Sequence, residues 1–180
     1  MKKILLKIVL PIILIVFLLW FLRMDIKYLF LNSQVIYWSD DVKISESDFT
    51  DNINLTSKSD ISYFHGLMIK KTYIQKANVK AVFYKNKSWI KNSADFKKEY
   101  KLQKVVFDLY EAYAKKYNKE IEKLRSKNNT DLTFPELKEI GKPIFADLFA
   151  TEDSIFNTNM EFNHLVEFWR FKIDKLLVEE

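Results

Sequence analysis

The chain has 180 residues, 48% apolar and 16% aromatic, with 2 Gly, 3 Pro and no Cys. So much apolar surface offsets the ordering entropy of a compact chain and excludes general disorder, and the scarcity of Gly and Pro disfavours a many-stranded sandwich. Without Cys there is no disulfide framework, thiolate zinc site or lipid-modified cysteine.

The net charge of +5 suggests a basic protein, but Lys2, Lys3, Lys7 and Arg23 all precede the first acid, Asp25. Without those four, 25 basic residues face 24 acidic ones, a balance that offers no field for a nucleic-acid backbone. Ile8 to Leu22 is an unbroken apolar run, and with Ile4, Leu5, Leu6 and Lys7 it covers 19 positions. At about 1.5 Å per helical residue, that suffices to cross a hydrocarbon core of about 30 Å. The run therefore predicts a membrane anchor over residues 1–27, in contact with the bilayer through residues 4–22, followed by one domain over 28–180. Lys2, Lys3 and Lys7 would meet headgroups at one interface and Trp20 at the other. A cleaved signal peptide is the competing reading. It needs a small-residue cleavage site, whereas the run exits through Trp20-Phe21-Leu22-Arg23-Met24-Asp25, all bulky or charged. The cationic start predicts a cytoplasmic N-terminus and a periplasmic or extracellular C-terminal domain.

Beyond the anchor, Val35–Trp38 is a short β-prone run closed by Ser39-Asp40-Asp41, and the polar stretch Thr50–Asp60 reads as a loop. Ile61, Tyr63, His65, Leu67 and Ile69 alternate with their neighbours, and Val79–Tyr84 is β-branched and aromatic. Together these two runs predict antiparallel strands joined near Lys76 to Asn78. Ser93 can cap a long helix carrying Leu102, Val106, Leu109, Tyr113, Tyr117, Ile121 and Leu124, ended by a loop at Ser126–Asp131. Thr133-x-x-Glu136 with Pro135 starts a second helix, which Gly141 and Pro143 are expected to stop. A last helix begins at Thr158-x-x-Glu161 with the stripe Phe162, Leu165, Trp169, Ile173 and Leu176. The expected fold class is α+β: an N-terminal transmembrane helix, then a small antiparallel sheet packed on a long amphipathic helix with further C-terminal helices.

Familiar catalytic chemistry is hard to build from this chain. A helical zinc hydrolase needs two His one turn apart with a Glu between them, yet His65 and His164 are the only histidines. Glu161 and His164 form one E-x-x-H pair where a di-iron bundle needs two, so a capping role for Glu161 is the simpler reading. Asp40, Asp41, Glu46, Asp48 and Asp51 lack the order of a calcium loop. With Gly66 and Gly141 as the only glycines, there is no phosphate-cradling loop, nucleophile elbow or dinucleotide fingerprint. Tyr110, Tyr113 and Tyr117 follow one helix and suit core packing as well as a ligand-binding strip.

Ser88-Trp89-Ile90, followed by Leu102 to Ala114, resembles a bacterial family of zinc-dependent peptidases thought to be secreted. In that family a serine-tryptophan follows a strand and a helix carries H-E-x-x-H-F-D. The Ile44–Phe49 stretch, or alternatively Trp38-Ser39-Asp40, is similar to its early W-S-D-F segment. Here Leu102 and Val106 stand where the family has its two histidines and Gln103 where it has the catalytic glutamate, while Phe107, Asp108 and Glu111 match the surrounding scaffold. The resemblance implies a related fold without the zinc. No metal or cofactor is expected, and helical periodicity independently assigns Leu102 and Val106 to the core.

These observations favour a membrane-anchored, non-catalytic binding or scaffold domain of the cell envelope, acting through an envelope protein or ligand. The alternatives are a hydrolase with an unfamiliar carboxylate/His site and a cleaved, secreted binding protein. His65, Glu111 and Asp48, with Asp40 beside them, are the candidates for such a site. The hydrolase requires the long helix to bring Glu111 next to His65.

Overall fold

The computed structural model describes residues 2–73 and 75–179, with side chains described for 9–73 and 75–178. The expected headgroup contacts of Lys2, Lys3 and Lys7 lie outside those side chains. Helix α1, Lys2–Gln34, is long and apolar enough to cross a membrane. The large apolar residues from Leu10 to Trp20 are each more than half exposed among the described residues. The helix continues without a break past residue 27 and runs directly into β1, Val35–Tyr37.

The chain is α+β. β1, β3 (His65–Lys70) and β4 (Asn78–Tyr84) form an antiparallel sheet in the order β1-β4-β3, and β2 (Ile61–Ser62) pairs with β5 (Trp89–Ile90) in a second, two-stranded ladder. The expected hairpin is present, with His65 opposite Phe83 and Lys70 opposite Asn78. The alternating run from Ile61 does not form one strand, however. It breaks at Tyr63-Phe64 and its two parts join different sheets. Ser88, fully buried, holds the break: its hydroxyl accepts from Phe64 N (2.9 Å) and donates to Tyr84 O (2.7 Å).

Both faces of the main sheet are covered. Ile36, Trp38, Leu67, Ile69, Val79, Ala81 and Phe83 pack toward α2, Phe96–Asn128, whereas Val35, Tyr37, Met68 and Val82 pack against Tyr28, Met24 and Leu31 at the end of α1. Consecutive apolar residues in β4 follow from this arrangement, since successive side chains on a strand point to opposite faces. The Tyr28 hydroxyl fixes α1 to the hairpin, donating to Ile69 O (3.0 Å) and accepting from Lys71 N (3.1 Å). Tyr73, in the hairpin tip, stacks on Phe21 with ring centroids 4.8 Å apart.

Helix α2 is the central element. Its cap is Asp95, whose carboxylate accepts from Lys98 N (3.1 Å), two residues beyond the expected Ser93, and Asn129 in the left-handed region ends it. The predicted positions from Leu102 to Ile121 are buried, as are Val105, Phe107, Asp108, Tyr110 and Ala114, because α2 is enclosed by the sheet, α3 (Phe134–Phe156) and α4 (Phe162–Glu179). Fully burying a Leu, Ile, Val or Phe side chain contributes about 1.5–3 kcal/mol. α3 begins at the expected capping box of Thr133 and Glu136 but does not stop at Gly141 or Pro143; it runs on to Phe156. Pro143 is exposed, so the helical bond its missing N–H cannot make leaves the carbonyl of Glu139 open to water rather than buried. Gly141 has a helical backbone and serves to admit the Tyr117 ring: a Cβ there would lie 2.5 Å from the Tyr117 hydroxyl, which bonds to Leu137 O. α4 carries the predicted stripe, with Leu165, Trp169 and Ile173 buried. Its capping differs from the expected box: Glu161 itself accepts from Asn163 N (3.0 Å) and His164 N (3.2 Å), and Thr158 bonds to Met160 N instead.

Candidate functional site

Three sequence candidates lie apart. Asp48 closes a short 3-10 turn, accepting from Ser45 N (2.9 Å) and the Ser45 hydroxyl (2.7 Å), so its carboxylate is a cap. Glu111 accepts from the backbone of Ala81 and feels Lys115, Lys80 and Asp40; burial raises its pKa despite the two lysines. His65 instead lies among Tyr63, Phe83, Phe107 and Tyr110, with the Phe107 ring centroid 4.9 Å away. The pairing of Glu111 with His65 required by the hydrolase reading is therefore not made. Exposed Asp40 is on the Glu111 side, and His164 is exposed beside the Glu161 cap.

Burial lowers the His65 pKa to about 3 against the opposing pull of Asp108, so the imidazole is neutral at physiological pH. Its Nε2 has no hydrogen-bond partner among the described residues, nor does the Tyr63 hydroxyl. Both residues line an aromatic cleft of about 530 Å³ that wraps the edge strand β3 and is bounded by Tyr84, Lys87, Tyr110, Phe149 and Glu152. Tyr110 donates to Glu152 Oε2 (2.9 Å); burial raises the pKa of Glu152, an effect this hydrogen bond tempers. Lys87 Nζ sits 4.6 Å and 4.8 Å from the ring centroids of Phe64 and Tyr84. Glu152 and Phe149 lie beyond Gly141 and Pro143, where local propensity ends α3, so propensity does not point to them. The signal was there in Leu137, Ile144, Leu148 and Ile155, whose spacing runs straight through Pro143.

A second polar cluster is structural. Asp108 is almost fully buried, accepts from Trp38 Nε1 (2.6 Å), pairs with Arg170 and lies 3.2 Å from Lys104 Nζ, tying the residue after β1 to α2 and α4. Its charge is met on several sides, as a buried carboxylate requires. Leu102 and Val106 are buried in the main core. No group of three or more His, Cys, Asp or Glu able to hold a metal ion occurs among the described residues. Comparison of the chain with protein-family models, with curated proteins and with solved structures finds no match.

Proposed function

We propose that this protein is a single-pass, membrane-anchored extracytoplasmic domain that binds a ligand in the aromatic cleft beneath His65 and performs no catalysis. The carrying observation is the exposed apolar stretch from Leu10 to Trp20 in a helix that continues into a folded domain with that cleft at the far end of β3. Covering that stretch with lipid removes the cost of leaving it in water. A cytoplasmic N-terminus follows from Lys2, Lys3 and Lys7. The peptidase resemblance enters as a relationship of fold alone; Leu102 and Val106, where that family has histidines, are packed in the core and leave no room for its zinc.

The experiment is carbonate extraction of membranes carrying the full chain, with protease added outside the cytoplasmic membrane. The intact chain should stay with the membrane and lose the region beyond Asp25 to protease. A soluble product beginning after Arg23 would refute the anchor, and full protection would reverse the orientation. One observation favours the rival hydrolase: Glu152, rather than Glu111, shares a cleft with His65. Peptide or ester hydrolysis by the purified chain, abolished in both His65→Ala and Glu152→Gln, would put that rival first.

A further inference from the structure

The cleft is one end of a longer surface feature. At the other end Arg23 and Met24 of α1 meet Lys71, Thr72, Tyr73 and Phe134 around a concavity of about 270 Å³. The Tyr73 ring touches Phe21 and Trp20, so this concavity lies where α1 leaves its exposed apolar stretch. Phe134 is also a wall of a groove of about 670 Å³ formed with Ile69, Phe145 and Phe149 and flanked by Lys138 and Lys142. Phe145 and Phe149 in turn line the His65 cleft. The three depressions thus adjoin through shared walls along α3. Phe134 and Phe149 are fifteen positions apart, about 22 Å of helix, longer than one bilayer leaflet of about 15 Å.

Polarity changes along this path. The groove next to the anchor is apolar except for its flanking lysines, which can keep their ammonium groups in water while their stems cover apolar surface. The distal cleft adds the cation of Lys87, the Tyr110–Glu152 hydrogen bond and the ring of His65, whose Nε2 lies buried without a partner among the described residues. An extended peptide would find backbone partners along the β3 edge alone and none on the apolar α3 wall. An amphiphile matches both ends. Resting on the anchor and cleft-binding reading above, we infer that the feature takes a membrane lipid from the surrounding leaflet, its acyl chain along Phe134, Phe145 and Phe149 and its polar head in the His65–Tyr110–Glu152–Lys87 cleft.

The test reconstitutes the full chain in phosphatidylcholine vesicles containing a phosphatidylglycerol with a photoactivatable acyl chain, then maps the crosslinked peptides. Label is expected on α1 and also on the α3 peptide bearing Phe145 and Phe149. Ala146→Trp should block the groove from an exposed position, and losing an apolar contact of that size should lower α3 labelling by about tenfold while α1 labelling stays unchanged. Phe149→Gln, at a residue 53% exposed, should do the same if the tryptophan variant misfolds. Label confined to α1, or α3 labelling that both folded variants leave intact, would overturn the inference while the anchor stands. Absence of label from α1 would overturn the anchor itself.

Discussion

Replacing Gly141 by Ala tests the packing of α3 on α2 through two opposed effects of known size. Alanine in a helix interior is favoured over glycine by about 0.5–1 kcal/mol, so an open site would gain stability. Here the added Cβ would lie 2.5 Å from the Tyr117 hydroxyl, 3.0 Å from Cζ and 3.2 Å from Cε1. Tyr117 is fully buried and its hydroxyl is bonded to Leu137 O, so the ring can yield only by giving up that bond and its packing. Overpacking of this kind costs about 1–3 kcal/mol; set against the propensity gain, it leaves a net loss of about 0–2.5 kcal/mol. Urea unfolding of the full chain in mild detergent, followed by tryptophan fluorescence, measures it. Tyr117→Phe removes the closest atom. Leu137 O keeps its helical bond, so that variant alone should lose only about 1 kcal/mol, and Gly141→Ala should cost less in its background than in the wild type. A stabilising Gly141→Ala, or one whose cost is unchanged in the Tyr117→Phe background, would refute the close approach.

The remaining predictions concern charge. Asp108→Ala should destabilise the domain by about 3 kcal/mol, since it strips the shared partner from Arg170, Lys104 and Trp38 together; a change within about 0.5 kcal/mol, the range of ordinary surface substitutions, would remove its structural role. His65 has a folded pKa lowered to about 3, so between that value and about 6.5 the unfolded chain binds the proton and the folded chain does not. Stability should fall with decreasing pH across that window by up to about 1.4 kcal/mol per unit, and His65→Phe should remove that component of the slope. Identical pH profiles for the two proteins would mean that the imidazole titrates freely.

Much of this fold was legible because local chemistry and burial agree. The apolar run of α1, the hairpin of β3 and β4, the stripes of α2 and α4 and the Thr133–Glu136 box all follow from period or capping. Where reading failed, tertiary contact overrode a local rule. Gly141 and Pro143 are helix breakers by propensity, but one accommodates Tyr117 and the other faces solvent, and α3 continues through both. The break at Tyr63-Phe64 rests on Ser88, more than twenty residues away, which no local period reveals. The cleft was half legible for the same reason: His65 was recognised on a strand face, whereas Glu152 and Phe149 belonged to a helix expected to have ended.

Helix α1 reaches β1 with no intervening loop, and this fixes more than topology. A domain on a flexible tether samples a hemisphere around its attachment point, and its reach grows with linker length. This one stands on a stiff stalk, clamped by Tyr28 at the hairpin and by the Gln34–Asn86 hydrogen bond (2.9 Å) at the opposite end of the sheet. From Trp20 to Gln34 the stalk rises by about 21 Å, which sets the height at which the sheet's far end is held. A change in the tilt of α1 would therefore be transmitted as a rotation of the whole sheet. On the proposed anchor reading, bilayer thickness, which alters helix tilt, would become a mechanical input to the domain's orientation.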